Sequence, residues 1–199
     1  MRRSFIVSLL LLWVSISLPA ASPAPAAEGA FFTRNLKKAE SCDASAQYYV
    51  GTMYLTGAEG GRRDPKNAFI WYEKAAAQGH ALATAGLAKL YEEGDGVERD
   101  YKKAFELYER AAMQGEETAR SGLGKLYYFG RGCEKSMVKS YAYAGISEST
   151  DEASVKSVKS LFDGKLNAAE LNEAKELAKK LRAQIEKNRE NKDKDKNKK

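Results

Sequence analysis

The sequence predicts an all-α solenoid of about three stacked helix pairs with a C-terminal capping helix pair, on three observations. The first is a repeat. Ala83, Leu87, Ala88, Tyr91, Gly94, Gly96, Val97, Asp100, Ala104, Tyr108, Ala111, Ala112 and Gly115 recur upstream as Ala46, Val50, Gly51, Tyr54, Gly57, Asp64, Ala68, Tyr72, Ala75, Ala76 and Gly79. They recur downstream as Ala119, Leu123, Gly124, Tyr127, Gly130 and Gly132. Asp64 to Asp100 and Tyr91 to Tyr127 both span 36 residues; Tyr54 to Tyr91 spans 37, because the first copy has one more residue in its Gly-rich loop. A fixed period of this size marks a solenoid whose units bury apolar faces against their neighbours. The second observation is helical spacing. Ala104, Leu107, Tyr108, Ala111 and Ala112 lie at i, i+3, i+4, i+7 and i+8, as do Ala68, Trp71, Tyr72, Ala75 and Ala76. The third is punctuation. Gly94 and Gly96 suit a helix C-cap, Asp100 suits an N-cap, and Asp64-Pro65 places proline in a first helical turn.

These residues also carry a family resemblance. The pattern A-x3-L-G-x2-Y-x2-G-x-G-V-x2-D-x2-K-A-x2-W-Y-x-K-A-A-x-Q-G resembles the Sel1-like repeat, a longer relative of the tetratricopeptide repeat, over Ala44 to about Gly145. The resemblance implies a right-handed αα-superhelix and an adaptor or scaffold role rather than catalysis. Some relatives place a cysteine pair within each repeat; this sequence does not.

Taken in order, residues 1–26 read as a signal peptide. Arg2 and Arg3 form a basic start, Phe5 to Leu18 is an apolar stretch, and Ala24-Pro25-Ala26 offers small residues for cleavage near Ala26. Ala24 and Ala27 are alternative cleavage points. A retained anchor is the competing reading, but a span needs roughly 20 apolar residues. The expectation is therefore an exported protein in a bacterial periplasm, with no stable membrane anchor after cleavage. Residues 27–43 form a lead-in, in which Phe31, Phe32 and Leu36 either cap the first repeat or sit in an extended segment. Repeats are expected at 44–80, 81–116 and 117–150. The third drifts: Ser136 replaces the aspartate, Ser140 an alanine, and Ser147 and Glu148 stand where two alanines belong. Residues 151–187 read as capping helices. In the first, Val155, Val158 and Phe162 share a face; in the second, Asn167 and Glu170 form a capping box ahead of Leu171, Ala174, Ala178, Leu181 and Ile185. That stripe suits a lid over the solenoid's end, or a short dimeric coiled coil. Residues 188–199 contain no apolar side chain and are expected to be disordered.

Charge and side-chain inventory exclude several functions. The net charge is +6, but Arg2, Arg3 and the tail from Lys187 account for all of it, leaving a neutral body. A nucleic-acid surface needs a clustered basic face, so no nucleic-acid partner is expected. His80 is the sole histidine and stands at a repeat junction, read as a tolerant linker position. It leaves zinc without a ligand set and a serine nucleophile without a motif. The glycines follow the repeat and form no phosphate loop. No catalytic residue, cofactor or metal is expected. Cys42 and Cys133 are separated by two helix pairs, whereas a disulfide needs Cα atoms within about 7 Å. Cys133 reads as a small apolar filler, and Cys42 as the residue open to an intermolecular or mixed disulfide.

Binding is expected on the concave face, which the first helix of each pair lines. A stripe there runs through Tyr48 and Thr52, then Lys89 and Glu92, then Lys125 and Tyr128. These six are the candidate partner-binding residues, forming a mixed aromatic and basic groove for a protein or peptide. The alternative function is an envelope-polymer or membrane-surface module that uses the basic tail.

Overall fold

The computed structural model describes residues 29–58, 62–146 and 162–196. The signal-peptide reading of 1–26 and most of the first capping helix fall outside the described residues. Among those described are eight α-helices and no strand: α1 (Ala30–Glu40), α2 (Ala44–Thr56), α3 (Pro65–Ala77), α4 (Ala81–Glu93), α5 (Tyr101–Ala112), α6 (Glu117–Phe129), α7 (Met137–Gly145) and α8 (Ala168–Lys196). Each helix from α1 to α7 packs chiefly on its neighbours in sequence, and α8 packs on α7. This is the all-α superhelical solenoid that the period predicts. None of these helices is long and apolar enough to cross a membrane.

The repeat landmarks act as local geometry. Gly57, Gly94 and Gly130 end α2, α4 and α6 in the left-handed conformation, at φ 69°, 73° and 67°. Asp64, Asp100 and Ser136 then start α3, α5 and α7 as N-caps, each side chain accepting from the first helical turn. In all three repeats the cap's own N–H returns to a tyrosine carbonyl, on Tyr54, Tyr91 and Tyr127, at 2.7, 3.0 and 3.0 Å. That bond folds the loop back and sets the helix pair antiparallel. Ser136 thus performs the task of the missing aspartate.

Stacking between repeats depends on close approach. A Cβ on Gly132 (φ 72°) would lie 2.1 Å from the Tyr101 carbonyl oxygen, and one on Gly96 would lie 2.5 Å from that of Pro65. Each loop therefore lies against the start of the second helix in the preceding repeat. The tyrosines of that second helix are seated the same way. Tyr72 is 3% exposed, and the Cβ positions of Gly51 and Gly86 fall 2.6 and 2.8 Å from its ring. Gly122 seats Tyr108 equivalently, at 2.6 Å. Phe69 meets Tyr91 edge-on at 5.5 Å, and Phe105 meets Tyr127 at 5.3 Å, repeating the contact one period later.

Both ends are covered. The lead-in resolves toward capping: α1 buries Phe32 and Ala39, with Leu36 partly buried, against Ala46, Val50 and Met53 of α2, while Phe31 stays exposed. At the other end the capping box forms, with Asn167 N–H donating to Glu170 at 2.9 Å and Glu170 N–H donating to Asn167 at 3.0 Å. Ala174 packs with Tyr141 and Phe162, and Ala178, Leu181 and Ile185 join the core of the second and third repeats. This is the lid arrangement.

Two expectations change. The helix does not stop at Lys187 and give way to a disordered tail; α8 continues to Lys196. Asn188 donates to the Met113 carbonyl at 3.0 Å and Arg189 to the Gly115 carbonyl at 3.0 Å. Lys192 donates to the Gln114 side chain at 3.3 Å. These bonds hold an otherwise polar segment helical by anchoring it to the α5–α6 turn. His80 is not a passive linker either. Its Nδ1 accepts from Ala83 N–H at 3.3 Å, capping α4, and its ring stacks on Tyr48 at 5.1 Å. Glu116 caps α6 at the matching position.

Candidate interaction surface

The six predicted residues all lie on the first helices, α2, α4 and α6, and α4 touches α6 directly. Their surroundings divide them. Tyr48 is half-buried, stacked between Tyr72 at 5.7 Å and His80 at 5.1 Å. Thr52 shares a 3.1 Å hydrogen bond with the Tyr72 hydroxyl. Glu92 accepts from the Tyr108 hydroxyl at 2.7 Å. Burial, then that bond to Glu92, pushes the Tyr108 phenol far up, so it stays a donor throughout the physiological range. These three residues therefore help hold the helix pairs together.

Lys89 and Lys125 are exposed. Lys89 faces Glu93 at 3.8 Å on its own helix, an exposed pair of the kind that contributes about 0–1 kcal/mol, so its ammonium remains available to a partner. Lys125 and Tyr128 open onto a cavity of about 590 Å³ between α6, α7 and Phe162. Tyr143, Ala144 and Phe162 supply its apolar wall. Lys165 donates to the Tyr128 hydroxyl at 2.6 Å and draws its phenol pKa below the usual value, through that bond first and its charge second. Burial pushes the Tyr143 phenol up to about 12. Ser140 donates to the Gly124 carbonyl at 2.7 Å and fixes α7 against α6 beside the opening.

The cavity also contains a residue absent from the predicted stripe. Arg120 is 3% exposed and lines it. The sequence signal lay in the period: Gln47, Thr84 and Arg120 occupy one position, each directly after a landmark alanine, and all three are polar and buried.

Among the described residues no cluster of metal-ligating side chains occurs. Both cysteines are free thiols. Cys42 is exposed and adopts φ 65°; Cys133 is half-buried against the core, and burial raises its thiol pKa.

Comparisons with known proteins agree with this geometry. A family model described as the Sel1 repeat matches residues 44–80, 81–116 and 118–145. One similar solved structure is c5321, a protective antigen of uropathogenic Escherichia coli strains displaying an SLR fold, with TM-score 0.58 and 24% identity over 82% of this chain and 43% of that one. The chain thus spans less than half the length of c5321. Another is a Sel1 repeat protein from Oxalobacter formigenes, with TM-score 0.55 and 32% identity over 64% of this chain and 96% of that one. No curated protein matches. Sel1 repeats are generally protein–protein interaction scaffolds, typically without catalysis. With three tandem matches covering half its length, the chain belongs to the Sel1 repeat family.

Proposed function

We propose that this protein is an exported, periplasmic scaffold that holds a protein or peptide partner on the concave face built by α2, α4 and α6. The carrying observation is the division of that face. Tyr48, Thr52 and Glu92 lock the helix pairs, while Lys89 and Lys125 stay exposed, and Lys125 borders a cavity of about 590 Å³. A rigid frame presenting exposed cations beside an aromatic-walled opening suits a peptide segment with acidic character. Export is supported by the basic start, the apolar Phe5–Leu18 stretch and the Ala24-Pro25-Ala26 site. The envelope-polymer reading draws less support, because Arg189 and Lys192 of the basic segment are bonded to the array.

In-cell photo-crosslinking tests the face. A reactive residue at Lys89 is expected to trap a discrete partner, identified by mass spectrometry. The same residue at exposed Glu73, on α3, is expected to trap none. Equal trapping from both positions, or from neither, would sink the assignment. Deleting 188–199 should leave the Lys89 adduct in place; loss of envelope association instead would favour the polymer-binding alternative.

A further inference from the structure

One polar position recurs in every repeat, and only two of its three occupants are fully satisfied. Gln47 donates to the Ala39 carbonyl at 3.0 Å and accepts from Gln78 at 2.7 Å. Thr84 donates to the His80 carbonyl at 3.0 Å. Arg120 donates through Nη1 to the Gly115 carbonyl at 3.1 Å, yet its buried Nε has no hydrogen-bond partner among the described residues. A guanidinium keeps its charge at every accessible pH, and a buried unpartnered donor is costly. The third repeat thus carries a buried cationic donor where its predecessors carry a neutral, satisfied group.

Arg120 itself lines the cavity between α6 and α7. Among the described residues of the lining, Lys125 and Lys165 add two exposed cations and Glu117 is the one acid. The lining also includes Tyr143 and Phe162, both buried, and Phe129, which is 57% exposed. The volume of about 590 Å³ lies in the range of small-ligand pockets, about 300–1,000 Å³. A space of this size suits the end of a chain rather than a folded surface. The unpartnered guanidinium N–H and the net positive charge of the described lining call for a singly charged acceptor. The aromatic walls call for an apolar group attached to it.

We propose that this cavity is a subsite for a peptide C-terminus, in which Arg120 and the neighbouring lysines take the free α-carboxylate and the aromatic wall takes an apolar last side chain. The subsite deepens the scaffold reading: it rests on a peptide lying along α6, and adds which end of the peptide is held. It also accounts for the buried arginine, since a carboxylate supplies the acceptor that the fold leaves out.

The test is a fluorescence-anisotropy titration of the purified full chain with a labelled Gly-Ser-Gly-Ser-Phe peptide. The free acid is compared with its C-terminal amide. Removing one member of a buried charge-assisted pair weakens binding by about 30-fold or more, so the acid is expected to bind about 30-fold tighter than the amide. Arg120→Met should erase that preference without lowering the thermal midpoint, because the Gly115 carbonyl keeps Arg189 as a donor. If Arg120→Met fails to fold, the exposed-site double variant Lys125→Gln/Lys165→Gln should weaken the acid and leave the amide unchanged. Equal affinity for acid and amide, no binding of either, or an unchanged preference in both variants would overturn the subsite. A free 3-phenylpropanoate that binds as tightly as the peptide would overturn the peptide source. The scaffold reading is judged separately, since a Lys89 adduct can be present whether or not this titration succeeds.

Discussion

Tyr72 lies between two residues that lack a side chain, Gly51 in its own repeat and Gly86 in the next. Its hydroxyl reaches Thr52, and its ring stacks on Tyr48, which in turn stacks on His80. His80 therefore has two tasks in one neutral state: its Nδ1 accepts the helix-capping bond, and its ring closes the stack. Burial, with Lys192 nearby, lowers its pKa below the ordinary 6.5, while Asp43 and Glu116 oppose the shift. The unfolded chain takes up this proton first as pH falls, so folding stability decreases as pH drops from about 6.5 through the lowered folded value. Above pH 6.5 both states are neutral and the contribution is complete. The urea midpoint should accordingly fall between pH 7.5 and pH 5, and His80→Asn, which retains a capping side chain, should flatten that fall. An unchanged slope in the variant would dissociate His80 from acid sensitivity. None of this was legible in the sequence, where a junction position gives no hint that a ring from α2, two helices back, stacks upon it.

At the level of the helix pair, one short loop does two jobs. Its first glycine ends a helix, and its second lets the loop lie against the preceding repeat. Gly132→Ala would put a Cβ into the Tyr101 carbonyl at 2.1 Å while holding alanine at φ 72°. Backbone strain of this kind costs on the order of 1–3 kcal/mol, and overpacking typically adds about 1–3 kcal/mol. A loss of more than about 2 kcal/mol is therefore expected in chemical denaturation; a loss under about 0.5 kcal/mol would show that the loop yields. This level was the most readable from sequence, since each landmark residue has a local geometric task. Asp64, Asp100 and even the divergent Ser136 proved to be caps because capping depends on the residue and its immediate neighbours. Lys125 and Tyr128 of the expected stripe both line the cavity, whereas Arg120 was not part of that stripe. A single arginine at a polar repeat position reads as a solvated charge until tertiary packing buries it.

Across the molecule, α8 is the element that the sequence describes least well. Its apolar half was visible as a stripe. Its polar half is helical because Asn188 and Arg189 bond to carbonyls of the α5–α6 turn, and backbone acceptors leave no trace in a residue pattern. The lid therefore reaches past the third repeat to the end of the second. Ile185, 3% exposed, packs in the core shared by both. Ile185→Ala should cost about 2–5 kcal/mol. Hydrogen exchange should then rise in α5 and α6 as well as in α8, whereas faster exchange confined to α8 would show that the lid is energetically separate. The first repeat departs from the others in another way. The position that is Gly86 in the second and Gly122 in the third is Tyr49 in the first, and Tyr49 is half exposed. Gly86 and Gly122 each seat the tyrosine of the repeat before them, and Tyr49 has no such tyrosine to receive. The array consequently has a polarity that its own duplication must respect. A copied unit can be spliced in behind the first repeat, where a glycine awaits it, but not ahead of it, where Tyr49 blocks the seat. The same blockage discourages one molecule from continuing the stack of another, and so guards the protein against open-ended head-to-tail fibres.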